Sequence, residues 1–180
     1  MPLKLSEITD RIMSASATII AMVALATGLY QAKLSREQAK AAVWPYLISG
    51  NSGENGYARI IQNVGLGPAI IGSFEVHVDS IPMHSWKEVA DSLHVPISFK
   101  GSRSTTVRHG LVVPVSANAI HLIELPDTAD IRLIRSRVSH LRTFICYCSL
   151  YGDCWALDSD IAEPDKVKSC TDDPVREFRQ

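Results

Sequence analysis

Residues 145–155 read ICYCSLYGDCW and place three of the chain's four cysteines, Cys146, Cys148 and Cys154, inside nine residues, with the fourth at Cys170. Three chemistries use sulfur at such density: a zinc thiolate site, a thiol redox centre and a disulfide framework. Structural zinc sites commonly gather four ligands from paired CxxC knuckles, whereas here a CxC pair is followed by a third cysteine six residues on. A thioredoxin-type CxxC is absent as well. Cross-linking is the reading the pattern favours, with no metal and no cofactor expected at these residues. If 143–150 is a strand, Cys146 and Cys148 share a face with Phe144 and Leu150, because side chains alternate. A loop of Leu150, Tyr151 and Gly152 then sets Ser149 against Asp153 and Cys148 against Cys154, with Gly152 supplying the positive φ such loops need. The expected pairs are Cys148 with Cys154 and Cys146 with Cys170. Four cysteines permit three connectivities, and the sequence leaves the other two open.

Other groups capable of chemistry are dispersed. His77, His84, His94, His109, His121 and His140 form no HExxH and no i, i+4 pair on a helix. The stretch NVGLGPAIIG is neither GxGxxG nor GxxxxGK[ST], and Pro68 removes a backbone donor where a phosphate would need one, so Gly65, Gly67 and Pro68 read as a turn. No GxSxG elbow is present and no carboxylate pair stands apart from the other acidic residues. Nothing in the sequence points to catalysis.

The elements that position the cysteines begin with a rod. Residues 12–32, IMSASATIIAMVALATGLYQA, carry no charge, and at about 1.5 Å per residue they cover the roughly 30 Å hydrocarbon core of a bilayer. A transmembrane helix is the favoured reading after a short N-terminal tail, 1–11. A cleaved signal peptide is the first rival, since Lys4 and Arg11 precede the run and Ala24, Leu25 and Ala26 resemble a cleavage site. A buried helix of a soluble protein is the second. Helical character is expected to continue from about residue 6 to Trp44, with 33–44 as a stalk that Pro45 ends. Ser14, Ala17, Ala21, Ala24, Gly28 and Ala32 follow at steps of three or four, and the stripe continues through Ser35, Ala39 and Ala42. Small side chains let helices approach closely in lipid, so the stripe is a candidate packing face for a second copy or a partner's span. The competing explanation is that small residues are simply common in this helix.

With 180 residues and 46% of them hydrophobic, the chain has room for one domain plus this appendage. A net charge of -1 gives no basic excess and excludes nucleic acid as an expected partner. Lys4 and Arg11 before the span against Lys33, Arg36 and Lys40 after it bias orientation only slightly. The even cysteine set suits an oxidising compartment and places the domain outside the cytoplasm.

From 45 to 158 the chain shows short runs rich in Val, Ile and Tyr, divided by Gly, Asn, Asp and Pro, the pattern of strands and turns. FEVHVD alternates, with Phe74, Val76 and Val78 on one face. Further strands are expected at WPYLIS, YARIIQNV, 105–108, 111–115, 119–125, 143–150 and 154–157, with 50–56 a flexible loop. The expected architecture is an antiparallel β-sandwich of immunoglobulin-like type with two short helices. The first helix, SWKEVADSL, has a capping box of Ser85 with Glu88. The second, DTADIRLIRSRVSHL, buries Ile131, Ile134, Val138 and Leu141 and turns Arg132, Arg135 and Arg142 away as a basic face. Residues 159–180 form a polar tail that cannot order itself by burial, with Cys170 as its tether.

The N-terminal span together with VWPYL, NVGLGPAII and ICYCSLYGDCW resembles uncharacterised bacterial single-span, membrane-anchored proteins with a small extracytoplasmic β-rich domain. That resemblance implies a bacterial inner-membrane protein with its C-terminal domain in the periplasm. The expected role is a binding or scaffold module acting through protein contacts, with the membrane and either a homo-oligomer or another protein as partners. Two alternatives stand beside it: a cell-envelope enzyme whose site is assembled from dispersed residues, and a cytosol-facing sensor whose cysteines hold metal.

Overall fold

A computed structural model of the chain describes residues 5–53, 56–95, 101–126, 131–161, 163–171, 173 and 176–179. The chain divides into two units, 1–41 and 42–180.

The first unit is essentially one helix, α1 (Leu5–Ala42), of 38 residues. Every described side chain from 8 to 38 is exposed, and mean hydropathy reaches 1.9 over an 18-residue window. It is long and apolar enough to cross a membrane, and a signal sequence near an N-terminus has the same character. Three of its hydroxyls are satisfied within the helix: Ser16 donates to the Met13 carbonyl, Thr18 to that of Ser14 and Thr27 to that of Val23. No water is needed for these groups. Ser14, Ala17, Ala21, Ala24, Gly28 and Ala32 fall within an arc of about 80° at 100° per residue.

The second unit contains ten strands in two antiparallel sheets among the described residues. They are β1 (Leu47–Ser52), β2 (Gly56–Asn63), β3 (Ala69–Val78), β4 (Ile81–Met83), β5 (Arg103–Ser104), β6 (Val112–Val113), β7 (Ile120–Pro126), β8 (Leu141–Cys148), β9 (Cys154–Asp158) and β10 (Asp165–Val167). One sheet has the order β1-β2-β7-β5 and the other β10-β9-β8-β3-β4, with β6 also paired to β3. Their facing sides share one core: Leu47, Tyr57 and Ile61 from the first sheet meet Ile71, Phe74, Val76, Ile145 and Tyr147 from the second. Burial in β3 and β8 follows the alternation: the inward residues are apolar except Thr143, and the outward ones are polar or sulfur-bearing except Ile70 and Phe144. Two bulges interrupt it. Leu122 is extra against β2, and Gly72 is extra against β8, so two consecutive residues are buried at each place.

Several expectations change. The expected 50–56 loop is shorter, because β1 continues through Gly50, Asn51 and Ser52, paired with Ile60, Arg59 and Ala58. The strand placed at 105–108 lies instead at Arg103 and Ser104, and Val107 is buried without belonging to a ladder. The 111–115 strand shrinks to two residues, where Pro114 removes the next donor. The first short helix is α2 (Trp86–Ser92), and Ser85 caps it by accepting from the Glu88 amide. Glu88 reaches back one residue further than a capping box requires, to the His84 amide at 2.7 Å. The second is α3 (Ile131–Arg137) and then a 3-10 turn, while Leu141 already belongs to β8; the expected start at 127–130 lies outside the described residues. Its basic face is not continuous. Arg135 donates to the carbonyls of Gly53 and Gly56, and Arg142, on β8, is held by Asp158 and Asp160.

The NVGLGP segment is a tight junction where the chain enters the domain. Asn63, 1% exposed, uses all four of its hydrogen-bonding positions: Oδ1 accepts from the amides of Tyr46 and Gly65, and Nδ2 donates to the carbonyls of Gly67 and Val113. A Cβ at Gly65 would lie 2.3 Å from the Tyr46 amide nitrogen and one at Gly67 2.1 Å from the Val43 carbonyl oxygen, so only glycine fits.

Candidate functional site

The hairpin joining β8 and β9 has the register that its turn residues imply. Cys148 pairs with Cys154, the Ser149 amide donates to the Asp153 carbonyl at 2.8 Å, and Gly152 takes φ of 80°. Cys146 and Cys148 occupy the outer face of their sheet with Phe144, while Ile145 and Tyr147 point into the core. Disulfides join Cys148 to Cys154 and Cys146 to Cys170. None of the four cysteines is free. The two cross-links touch: Cys148 Sγ lies 3.7 Å from Cys170 Sγ, and the sulfurs of Cys148, Cys154 and Cys170 are all within 4.8 Å of one another.

The segment that brings Cys170 here is the expected polar tail, and it is not free. Its β10 pairs with β9, setting Val167 opposite Cys154. Cys170 then sits over the bulged Gly72 of β3. A Cβ at that glycine would stand 2.4 Å from Cys170 Cβ and 2.7 Å from its Sγ. Further on, the Phe178 amide donates to the Phe74 carbonyl and the Arg179 amide to that of His84. The Phe178 ring is 3% exposed and packs edge-on against Phe74 and Trp86, with centroids 5.6 and 4.9 Å away. The tail is therefore a strap from β10 across the outer face of β8 and β3 to α2, and its aromatic residue belongs to the core. A mostly polar composition hid this, because one aromatic residue does not make a hydrophobic pattern.

Gly72→Ala tests how the strap is seated. The new Cβ must push Cys170 outward, at an overpacking cost of about 1 to 3 kcal/mol. The expected result is two additional alkylated thiols, at Cys146 and Cys170, in unreduced protein by mass spectrometry. Complete cross-linking in this variant would show that the sheet yields instead.

No sequence motif marks Arg59. It stands on the inward side of β2 with Tyr57, Ile61 and Asn63, and is 4% exposed. Its Nε donates to Thr143 Oγ1 at 3.1 Å and Nη1 to Asn51 Oδ1 at 2.9 Å, while Nη2 is buried without a protein partner. Burial pulls its pKa down, against the attraction of Tyr57, Asp160 and Asp158. With Thr143 on the opposite sheet, it ties the two sheets together.

Burial drives two phenols up. Tyr57 reaches about 12 despite the nearby Arg59 charge, and Tyr147 reaches about 12 although its oxygen accepts from the Leu47 amide. Both folded values exceed the usual 10, so the stabilisation is complete below pH 10 and is lost as pH rises towards 12. Roughly 2 to 3 kcal/mol for each tyrosine should disappear over that window, as read by denaturant unfolding alongside tyrosinate absorbance.

His94 and His140 line one cleft with Asp79 and Arg137, and none of the other histidines lines it. His77 pairs with Glu75, His140 with Asp79 and His121 with Glu124, and the Nδ1 of His109 lies 2.8 Å from the Gly72 carbonyl oxygen. A cleft of about 310 Å³ is lined by Ser52, Tyr57, His121 and Glu124 among others, but no hydrogen bond links Ser52 to His121. Comparison with protein-family models, with curated proteins and with solved structures finds no match.

Proposed function

We propose that the chain is a single-pass protein of the bacterial inner membrane whose periplasmic domain is an immunoglobulin-like sandwich acting by protein contact. The observation that carries this reading is the uncharged run 12–32 of α1, whose side chains are all exposed. Lipid is the surrounding that makes such exposure favourable. Two disulfides support an oxidising compartment for the domain. Strand order supports the finer fold assignment: β1-β2-β7-β5 and β9-β8-β3-β4 follow the A-B-E-D and G-F-C-C′ sequence of immunoglobulin-like sheets. Self-association along Ser14, Ala17, Ala21, Ala24, Gly28 and Ala32 is part of the proposal, since this arc lets two helix backbones approach.

The test is cysteine chemistry in intact cells, combined with fractionation. Single cysteines introduced at exposed Ser104 and Glu163 should be labelled by a membrane-impermeant maleimide, and the chain should require detergent for extraction. Release into the soluble fraction without detergent overturns the anchor. Labelling only after lysis overturns the orientation.

A further inference from the structure

We propose that, once both disulfides are reduced, the four cysteine sulfurs form a closed tetrahedral zinc site. A zinc ion bound by thiolates at about 2.3 Å holds its sulfurs about 3.8 Å apart along each tetrahedral edge. Cys148 and Cys170, which belong to different disulfides, already stand 3.7 Å apart. The sulfurs of Cys148, Cys154 and Cys170 are mutually within 4.8 Å, and Cys146 is bonded to the last of these. Cys154 is buried and the Cys148 and Cys170 residues are half-buried, so the site is partly shielded from solvent.

The arrangement does not depend on the cross-links to exist. Cys146 and Cys148 are i and i+2 on one face of β8, and the hairpin ladder sets Cys154 opposite Cys148. The pairing of β10 with β9 delivers the chain to Cys170 from one side, and Phe178 in the core anchors it from the other. Backbone pairing thus keeps the four sulfurs together after reduction, and the bonded pairs separate to ligand spacing by side-chain rotation. A site assembled from two neighbouring strands and a distant strap has no CxxC pairs, which is why its spacing in sequence does not resemble a zinc motif.

The chemistry balances simply. A dithiol reductant gives two electrons and two protons to each disulfide and closes to its own disulfide, leaving four thiols. One zinc ion then replaces the four thiol protons, which pass to solvent, and the site carries a net charge of -2. In this state the metal does the tethering that the disulfides do in the oxidised chain.

The test uses the full chain in detergent micelles, reduced with a water-soluble phosphine that is then removed under argon, and titrated with cobalt(II) and then zinc. The expected result is one cobalt per chain with the intense thiolate charge-transfer and tetrahedral ligand-field bands of four sulfur ligands. One equivalent of zinc should abolish these bands and protect all four thiols from alkylation. The oxidised chain should give no such spectrum, and Cys170→Ser should lose the four-sulfur spectrum while Cys146, Cys148 and Cys154 remain. Absence of the tetrahedral bands in the reduced chain overturns the proposal, as does a four-sulfur spectrum that survives Cys170→Ser or needs two chains per metal. None of these results bears on membrane anchoring, which fractionation of the oxidised chain reads separately.

Discussion

Replacing Asn63 with leucine is expected to lower the unfolding free energy of the β domain by at least about 3 kcal/mol, because buried polar groups cost about 1 to 3 kcal/mol each when left unpaired. The side chain of Asn63 is the partner of four backbone groups, the amides of Tyr46 and Gly65 and the carbonyls of Gly67 and Val113. Leucine keeps the number of side-chain heavy atoms, but its methyl groups are bulkier than the amide they replace, so the loss adds overpacking to the four unpaired groups. Asn63→Asp separates the two halves of the site: it keeps acceptors for the amides but sets a carboxylate against the Gly67 and Val113 carbonyls. Stability should recover partly as that carboxyl is protonated at low pH. Urea unfolding of the full chain in detergent, followed by tryptophan fluorescence, measures both variants. A change below about 1 kcal/mol for Asn63→Leu would show that water satisfies these groups, contrary to their burial.

Phe178→Ala should cost about 3 to 4 kcal/mol, the usual range for emptying a buried phenylalanine site. The ring fills a notch between Phe74 and Trp86, and the backbone beside it is bonded to Phe74 and His84. Phe178→Leu refills part of the space and should cost markedly less. Because Cys170 and Phe178 hold the same strap, Cys170→Ser and Phe178→Ala should be non-additive, the double variant losing less than the sum. Additive losses would mean that the two attachments act independently.

What the sequence makes legible is what is local. The uncharged run from 12 to 32 marks an apolar helix by composition, Ser85 marks the start of α2, and turn chemistry with alternation sets Cys148 opposite Cys154. The less legible features are decided across long separations. β5 and β6 are two-residue pairings whose location depends on β7 and β3 and not on their own residues. Arg59 alternates correctly with Tyr57 and Ile61, but alternation gives the period and not which charged residue the core will admit. Gly72 looks like an ordinary strand interruption until Cys170 is seen above it, almost a hundred residues later in the chain. The sulfur cluster is legible as a hairpin staple, while the proximity of the two staples is a property of the strap's path.

That path imposes an order on biosynthesis. Trp86 and Phe178 are 92 positions apart in the chain. At roughly 5 to 20 residues per second, the ribosome leaves the apolar notch beside Trp86 uncovered for about 5 to 20 s before its plug is made. A nascent chain in that interval presents an adhesive surface that the finished protein does not have, and whatever escorts it from the ribosome must shield that surface.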